Sequence, residues 1–236
     1  PGFGGKVLVR PKGGTPESFS KFDIGEPTVA RFDEPNPSSL GDTKGDTTHF
    51  DIIDKWGNMI AGTPSGGWLQ SSPIIPNLGF CLSNRGQMFW LDENSPACIG
   101  PKRRPRTTLS PSLALKDGLP YMVFGTPGGD QQDQWSLHLF LRHVHFGLNL
   151  QEAIDAPGFS TAHFPNSFYP RETAIGHLAV ERRFPKEAID ELIKKGHKVI
   201  IDDDWSLGRM TAASKDNEIL KAAANPRFMQ GYAIGR

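Results

Sequence analysis

The stretch Gly45-Asp46-Thr47-Thr48-His49-Phe50-Asp51-Ile52-Ile53-Asp54 is the most informative part of this 236-residue chain. A glycine and an acid lead into two threonines, and a strand-like run from Phe50 to Asp54 follows. The turn Lys55-Trp56-Gly57-Asn58 and the apolar run Met59-Ile60-Ala61 then complete the pattern of a β-hairpin. The sequence therefore predicts a hairpin with Thr47 at its leading edge.

Thr47 is a candidate nucleophile. A threonine hydroxyl attacks an amide poorly unless a base lies beside it. If Thr47 were the first residue of a chain, its own α-amine could accept the hydroxyl proton. Thr47 is internal in this sequence, so this chemistry requires cleavage of the Asp46–Thr47 bond. The alternative is a strand that happens to begin with two threonines, and this stretch alone leaves both interpretations open.

Composition and charge narrow the class of protein. Lysine plus arginine and aspartate plus glutamate both number 26, so the chain lacks the basic excess that is typical of nucleic-acid binders. Hydrophobic residues make up 37%, which is enough for a substantial core. No apolar run is long enough for a membrane span. The two cysteines, Cys81 and Cys98, have neither metal-ligand spacing nor a disulfide pattern, so we expect ordinary thiols.

The first 46 residues differ from the rest. They are rich in turn residues, as in Pro11–Pro16 and Pro35–Ser39, and they sustain no helical period. We expect a loop-rich tail over residues 1–46 and a folded region over residues 47–236.

Strands in hairpins, interrupted by a block of helices, are predicted for the folded region, and this pattern favours an α+β class. The elements expected after the first hairpin are a short strand Gly79–Leu82, a hairpin of Leu113–Lys116 with Tyr121–Thr126, a helix Gln131–Phe146 capped by Asp130, a helix Leu150–Asp155 capped by Asn149, a strand Leu178–Glu181, a helix from Pro185 to before Gly196, a strand Val199–Ile201 and a hairpin of Met210–Ser214 with Ile219–Ala224.

Four stretches resemble, in order, the γ-glutamyltranspeptidase family of N-terminal-nucleophile (Ntn) hydrolases. They are Thr47-Thr48-His49-Phe50 with the Gly57-Asn58 turn, the segment from Gly100 to Pro111, Gly125-Thr126-Pro127-Gly128-Gly129, and the tail with Asn225-Pro226-Arg227. The resemblance implies a four-layer αββα sandwich made as a proenzyme and cut between Asp46 and Thr47. It makes residues 1–46 the end of a large subunit, which would be the partner, and residues 47–236 the catalytic small-subunit region of a single domain. It requires no metal and no organic cofactor.

The same resemblance implies roles for individual residues. Thr47 would attack an amide carbonyl, and Ser65 would orient the Thr47 hydroxyl. The backbone N–H groups of Gly128 and Gly129 would form the oxyanion hole. Without the other motifs, the favoured interpretations are a turn serine for Ser65 and a plain strand-to-helix turn for the two glycines.

Three further residues match substrate-binding positions. Thr107 and Thr108 correspond to a hydroxyl pair that contacts the glutamyl carboxylate, although a strand start explains them comparably well. Arg85 falls where family members that bind glutathione have a glutamine. Those members also have an asparagine where this chain has Gly67, and an aspartate for the substrate α-amino group near Gln87, Met88 and Phe89.

These departures leave the residues for amide chemistry in place and put the recognition of a γ-glutamyl group in question. A cation at Arg85 favours a substrate with a carboxylate and no nearby ammonium. A non-glutamyl acylase or a small-amide hydrolase of the same superfamily is therefore an alternative. An unprocessed, non-catalytic homologue is another.

Other candidate sites are weaker. His49 could assist Thr47, but a packed strand histidine is equally plausible. His143 and His145 are two residues apart, so a helix would point them in different directions, and we expect no metal there. The run Asp202-Asp203-Asp204 is expected to be a solvated turn rather than a cation site, and Lys102–Arg106 a solvated loop.

Overall fold

The computed structural model describes residues 47–66, 74–227 and 231–235. These residues fall into two compact units. The smaller unit contains residues 66, 74–107 and 162–176, and the larger one contains residues 47–65, 108–161, 177–227 and 231–235. The predicted tail, residues 1–46, lies outside the described residues, so the boundary at Thr47 stays a prediction.

All regular strands and α-helices of the described residues belong to the larger unit. In chain order they are β1 (Phe50–Ile53), β2 (Met59–Gly62), β3 (Ser112–Lys116), β4 (Leu119–Gly125), α1 (Gln132–Val144), α2 (Leu150–Asp155), β5 (Phe159–Thr161), β6 (His177–Glu181), α3 (Lys186–Lys194), β7 (Lys198–Asp202), β8 (Thr211–Asp216) and β9 (Ile219–Ala224). Each long element predicted in this unit is present, which confirms the α+β class.

A four-stranded antiparallel sheet, in the order β3-β4-β8-β9, forms the centre of the larger unit. Helices α1 and α2 pack on one of its faces, because that face carries the apolar side chains of β4, β8 and β9. The buried cluster between the helices and the sheet includes Met122, Phe124, Trp135, Leu139, Leu150, Ile154, Ala212 and Ala223.

The β1–β2 hairpin lies on the opposite face of this sheet. Side chains alternate along a strand, so Ala212 faces the helices while its neighbours Thr211 and Ala213 face the other way. Thr211 donates a hydrogen bond to Asp51 of β1 at 2.7 Å. Helices, sheet and hairpin are therefore three successive layers, and the hairpin that begins just after Thr47 is fixed to the central sheet.

A second sheet has the order β5-β6-β7. Strands β5 and β6 are antiparallel, whereas β6 and β7 are parallel because α3 connects them as a crossover helix. Pro185 at the start of α3 and Gly196 just after its end agree with the predicted boundaries. Asn149 caps α2 as predicted, because its side chain accepts from the Glu152 N–H, and the Glu152 side chain completes a capping box.

The expected cap of α1 is wrong. Gly129–Gln131 forms a turn of 3-10 helix before α1, so Asp130 lies inside that turn rather than at the N-cap, which is Gln131. The predicted strand Gly79–Leu82 is also wrong, because only an isolated bridge between Ile74 and Cys81 forms there. Both thiols are free.

Candidate active site

Thr47 and Ser65 lie side by side at the open end of the β1–β2 hairpin. The Thr47 Oγ1 and Ser65 Oγ atoms are 2.7 Å apart, and Thr47 is only 7% exposed. The Thr48 N–H donates to the Pro64 carbonyl at 3.3 Å, so the backbone also pairs at this point. The structure brings the predicted nucleophile and its predicted orienting hydroxyl into direct contact.

A row of buried polar side chains continues from this pair into the hairpin. His49 Nδ1 is 2.7 Å from Thr63 Oγ1, and His49 Nε2 is 3.0 Å from Asp51 Oδ1. The second Asp51 oxygen accepts from Thr211. Sequence reasoning singled out His49 but missed Asp51, Thr63 and Thr211. The available signal was the two-residue spacing of a strand, because His49, which directly precedes β1, and Asp51 of β1 lie on the same face of the hairpin.

Gly128 and Gly129 follow β4 and precede α1. Their φ angles are +131° and +59°, a region that glycine enters without steric cost. A Cβ atom on Gly128 would lie 2.3 Å from the Trp135 ring, whose Nε1–H donates to the Phe159 carbonyl. Gly129 opens the 3-10 turn, so its N–H belongs to the first turn of a helical segment, where backbone donors lack helical partners. Such donors can stabilise a developing oxyanion.

The turn that carries these glycines is fixed by Thr126. This buried hydroxyl donates to the Pro127 carbonyl at 2.6 Å and accepts from the Arg209 N–H at 3.0 Å. The end of β4 is thereby tied to the segment that leads into β8. A backbone held at both sides in this way gives a preformed donor site rather than a flexible one.

Thr108 is buried in the larger unit, and its hydroxyl has no hydrogen-bond partner among the described residues. Ser110 fixes the segment, because its N–H donates to Gln132 Oε1 at the start of α1. A buried hydroxyl without a partner fits a contact with substrate. Thr107 is exposed and belongs to the smaller unit, so the two threonines predicted as a pair differ in environment.

Arg85 lies in the smaller unit, in a 3-10 turn that spans Arg85–Met88. Its guanidinium is buried over the Phe168 ring, with 5.3 Å between the guanidinium carbon and the ring centroid. The side chain also lies against Gly66, where a Cβ atom would be 2.4 Å from Nε. Gly67, the other departure from the family pattern, lies outside the described residues.

Arg171 holds the backbone of this turn in place. Its guanidinium donates to the Gln87 carbonyl at 3.1 Å and to the Phe89 carbonyl at 2.8 Å, and it also bonds the Ser167 carbonyl. Sequence reasoning missed Arg171, since nothing local marks a loop arginine that binds a segment more than 80 residues away.

The weaker candidates have structural explanations. His143 Nδ1 is 2.7 Å from the Leu148 carbonyl oxygen. In the part of the chain that the structure describes, no group of three potential ligands is arranged to hold a metal ion. Within Lys102–Arg106, Arg106 is not simply solvated, because it donates to the Pro165 carbonyl and stacks on Phe164.

The interpretation of the acidic run as a solvated turn is wrong for its first member. Asp202 ends β7 and is 1% exposed, because the parallel register places it beside Glu181 of β6. Asp203 and Asp204 are exposed as expected. Among the described residues, neither Asp202 carboxyl oxygen has a hydrogen-bond partner.

Comparison with known proteins places this chain in one family. Residues 19–235 match the family described as Gamma-glutamyltranspeptidase, and the chain belongs to that family. The Ntn-hydrolase fold expected from the sequence is thereby confirmed. Among the described residues, no helix combines the length and the apolar character that a membrane crossing requires.

Three similar proteins illustrate the range of the family. The glutathione hydrolase-like YwrD proenzyme of Bacillus subtilis (strain 168) is 32% identical over 80% of this chain and 36% of its own length. The oxamate amidohydrolase proenzyme of Klebsiella pneumoniae subsp. pneumoniae is 31% identical over 94% and 40%. A solved structure, LmbA2991T421A, matches with a TM-score of 0.75 and 56% identity over 82% of this chain and 34% of that one. The chain thus spans little more than a third of the length of these relatives.

Proposed function

We propose that this chain is the catalytic region of a self-processing threonine amidohydrolase or acyltransferase. The contact between Thr47 Oγ1 and Ser65 Oγ carries the proposal, because it gives a buried threonine an oriented hydroxyl at the point where the family resemblance places the cut. Thr47 is the nucleophile, Ser65 orients it, and the N–H groups of Gly128 and Gly129 receive the oxyanion.

Self-processing begins with attack of the Thr47 hydroxyl on the carbonyl carbon of Asp46. The C–N bond between Asp46 and Thr47 breaks as an ester to Oγ1 forms, and the Thr47 nitrogen takes the hydroxyl proton. Water then hydrolyses the ester. The products are a chain that ends in the Asp46 carboxylate and a chain that begins with Thr47.

Turnover uses the amine that processing releases. The free Thr47 α-amine accepts the hydroxyl proton while Oγ1 attacks the substrate carbonyl, and it then protonates the departing amine. A chain-terminal amine has a reference pKa of about 7.7–8.0, so a useful fraction is neutral near pH 7. Water resolves the acyl-threonine to a carboxylic acid, or an amine takes the acyl group in a transfer reaction.

We infer that the substrate is a small amide. Arg85 and Thr107 of the smaller unit and Thr108 of the larger unit are each proposed as residues that recognise it. Family members that bind glutathione have a glutamine at the Arg85 position and an acid close by, so we infer that this chain prefers an acyl group with a carboxylate and no ammonium. The similarity to an oxamate amidohydrolase supports that preference. A γ-glutamyl substrate is the competing candidate, and the similarity to a glutathione hydrolase-like protein supports it.

The partner is the segment upstream of the cut. The relatives are named proenzymes, and the matched regions are 36% and 40% of their lengths. After cleavage the upstream part would remain bound as a large subunit. Contacts between this large subunit and the acyl group of the substrate would add to those proposed for Arg85, Thr107 and Thr108.

Intact mass and N-terminal sequencing of the full-length protein test this proposal. We expect a fragment that begins Thr47-Thr48-His49 in the wild type and in Thr48→Ala, and none in Thr47→Ala. Thr48 is the matched control because it is the exposed neighbour of the buried Thr47. A wild-type protein that stays uncut through Asp46–Thr47 would instead support a non-catalytic homologue.

Substrate preference is tested on the processed protein. A γ-glutamyl anilide is compared with anilides whose acyl group ends in a carboxylate but lacks the α-amino group. We expect the second series to have the higher kcat/KM, and Arg85→Gln to narrow or reverse the difference. Preference for the γ-glutamyl anilide in the wild type would refute the assignment of Arg85.

A further inference from the structure

At the start of β1 the polar side chains of His49 and Asp51 are buried, and the apolar side chains of Phe50 and Ile52 are exposed. The His49 and Asp51 side chains are 1% and 3% exposed, whereas Phe50 and Ile52 are 42% and 53% exposed. A half-buried strand ordinarily does the reverse. Burial of an imidazole and a carboxyl group is costly unless both are hydrogen-bonded, so this face of β1 is built for its polar contacts.

The direction of each hydrogen bond in this row follows from the chemistry of Asp51. As a carboxylate, Asp51 only accepts, and it does so from Thr211 Oγ1 at 2.7 Å and from His49 Nε2 at 3.0 Å. Nε2 therefore carries a proton. In the neutral ring Nδ1 is then the acceptor, and it receives the hydroxyl of Thr63 at 2.7 Å.

The imidazole is also held from the side. A Cβ atom on Gly125, the last residue of β4, would lie 2.3 Å from the His49 Cε1 atom. Gly125 pairs with Thr211 in the central sheet. The ring is thus fixed by a hydrogen bond at each nitrogen and by the backbone of the central sheet at Cε1, which leaves it one orientation.

The row connects to the Thr47–Ser65 pair through the register of the hairpin. Strands β1 and β2 pair Phe50 with Gly62. Continuing that register by one residue places His49 opposite Thr63, and continuing it by three places Thr47 opposite Ser65. Both pairs are observed as side-chain hydrogen bonds. They lie on one face because they are two residues apart along each strand.

We propose that His49 is a positioning residue for the reaction at Thr47. Anchored by Asp51 and Thr211 to the central sheet, it holds the hydroxyl of Thr63 and so fixes the segment that presents the Ser65 hydroxyl to Thr47. A shift of that segment by about 1 Å would misalign the nucleophile, and misplacement on this scale can slow a reaction by about 100-fold. This inference rests on the proposed role of Thr47 and Ser65.

Two substitutions of His49 separate its two hydrogen bonds. The oxygen of an asparagine side chain can occupy the place of Nδ1 and accept from Thr63, whereas the amide of a glutamine reaches the place of Nε2 and can donate to Asp51. If the contact with Thr63 is the functional one, His49→Asn is the rescuing substitution and His49→Gln is the damaging one. Thr63→Val should reproduce the damage, and Thr63→Ser should preserve the hydroxyl.

The kinetic experiment measures the rate of appearance of the Thr47 fragment and then kcat and KM of the processed protein. We expect His49→Gln and Thr63→Val to lower the processing rate and kcat by about 10-fold to 100-fold, with little change in KM. We expect His49→Asn and Thr63→Ser to lose less than about 5-fold. The double variant His49→Gln/Thr63→Val should be no slower than either single variant, since both remove one interaction.

A second measurement is independent of activity. Hydrogen exchange of a peptide that covers residues 62–66 should accelerate in His49→Gln and Thr63→Val but not in His49→Asn, at matched thermal stability. Equal kinetics for the asparagine and glutamine variants, additive losses in the double variant, or unchanged exchange would overturn the positioning role. A wild type that exchanges as expected but never forms the Thr47 fragment would refute the proposed function and leave the positioning contact standing.

Discussion

At the scale of the residue, Gly128 excludes a side chain for two independent reasons. Its φ of +131° is strained for any L-residue, and a Cβ atom would lie 2.3 Å from the Trp135 ring. Trp135 cannot retreat easily, because it is part of the core and its indole N–H is bound to the Phe159 carbonyl. The close approach of backbone and ring fixes the turn that presents the proposed oxyanion donors.

Gly128→Ala should therefore destabilise the fold by about 2–4 kcal/mol and abolish formation of the Thr47 fragment. Gly147→Ala is the matched control, since Gly147 also has a positive φ, of +72°, but a Cβ atom there meets nothing within 4 Å. The control should cost about 1 kcal/mol and leave processing intact. Denaturant unfolding and intact mass measure both effects, and equal losses in the two variants would contradict this account of the turn.

At the scale of the element, the Arg85–Met88 turn depends on Arg171. Three backbone carbonyls of the smaller unit converge on this one buried guanidinium, and the planar fork of arginine suits such a site better than the ammonium of lysine. The position of Arg85 is thus determined by a residue that itself needs no contact with substrate.

Arg171→Lys should raise KM by about 10-fold, the equivalent of about 1.4 kcal/mol, because the turn that carries Arg85 loosens. Formation of the Thr47 fragment should be unchanged, since the groups proposed for processing belong to the larger unit. Arg182→Lys, at an exposed ion pair with Asp203, is the control and should change neither quantity. Loss of processing in a folded Arg171→Lys protein would contradict the assignment.

The pairing of β6 with β7 makes the stability of the fold depend on pH, because it buries the Asp202 carboxyl group. Burial, together with the nearby charges of Asp203 and Glu181, raises the pKa of Asp202 to about 6 from an ordinary value of 3.8. The folded state therefore holds this proton more tightly than the unfolded state does. The stabilisation from protonated Asp202 is complete below about pH 4 and is lost as the pH rises through about 6.

Asp202→Asn should accordingly raise the free energy of unfolding at pH 7.5 by about 1–2 kcal/mol and have little effect at pH 4. Asp204→Asn, at an exposed position in the same run, should stay within about 0.5 kcal/mol at both pH values. Denaturant unfolding at the two pH values provides the comparison. A stabilisation by Asp202→Asn that is larger at pH 4 than at pH 7.5 would contradict the raised pKa of Asp202.

At the scale of the molecule, the contact between Arg227 and Glu181 ties the end of the described range 74–227 to α2 and β6. Arg227 forms two hydrogen bonds to the buried Glu181 carboxylate, at 2.9 Å and 3.2 Å, and it also donates to the Ile154 and Ala156 carbonyls at the end of α2. Burial tends to raise the pKa of Glu181, but the bonds and charge of Arg227, with the Leu207 N–H and Arg183, outweigh it and hold this pKa below its ordinary value.

Arg227→Ala should cost about 3–5 kcal/mol, because it leaves the Glu181 charge buried with too few partners. Lys221→Ala removes a cation from an exposed ion pair with Asp216 and should cost no more than about 0.5 kcal/mol. Thermal and denaturant unfolding measure the contrast. A small loss in Arg227→Ala would mean that Arg183 alone compensates Glu181.

Much of the fold could be predicted because its signals are local. The Asn149 capping box, Pro185 and Gly196 around α3, and the turn residues of three hairpins each act within a few positions of the chain. The contact between Thr47 and Ser65 could also be predicted, because the ordered motifs of the family indicated both residues. Local propensity and tertiary structure agree at these points.

Other features could not be predicted, because they depend on contacts between distant parts of the chain. The sequence by itself determined the hairpin, the helices and the residue types proposed for amide chemistry. Only the tertiary structure decided that Asp202 is buried, that Arg171 holds the Arg85 turn, and that β1 turns its polar face inward to Thr63 and Thr211. The reason is that burial and hydrogen bonding depend on which surfaces meet. Short-range sequence patterns do not specify that, least of all for Arg171 with Phe89 and Thr211 with Asp51, which are 82 and 160 residues apart.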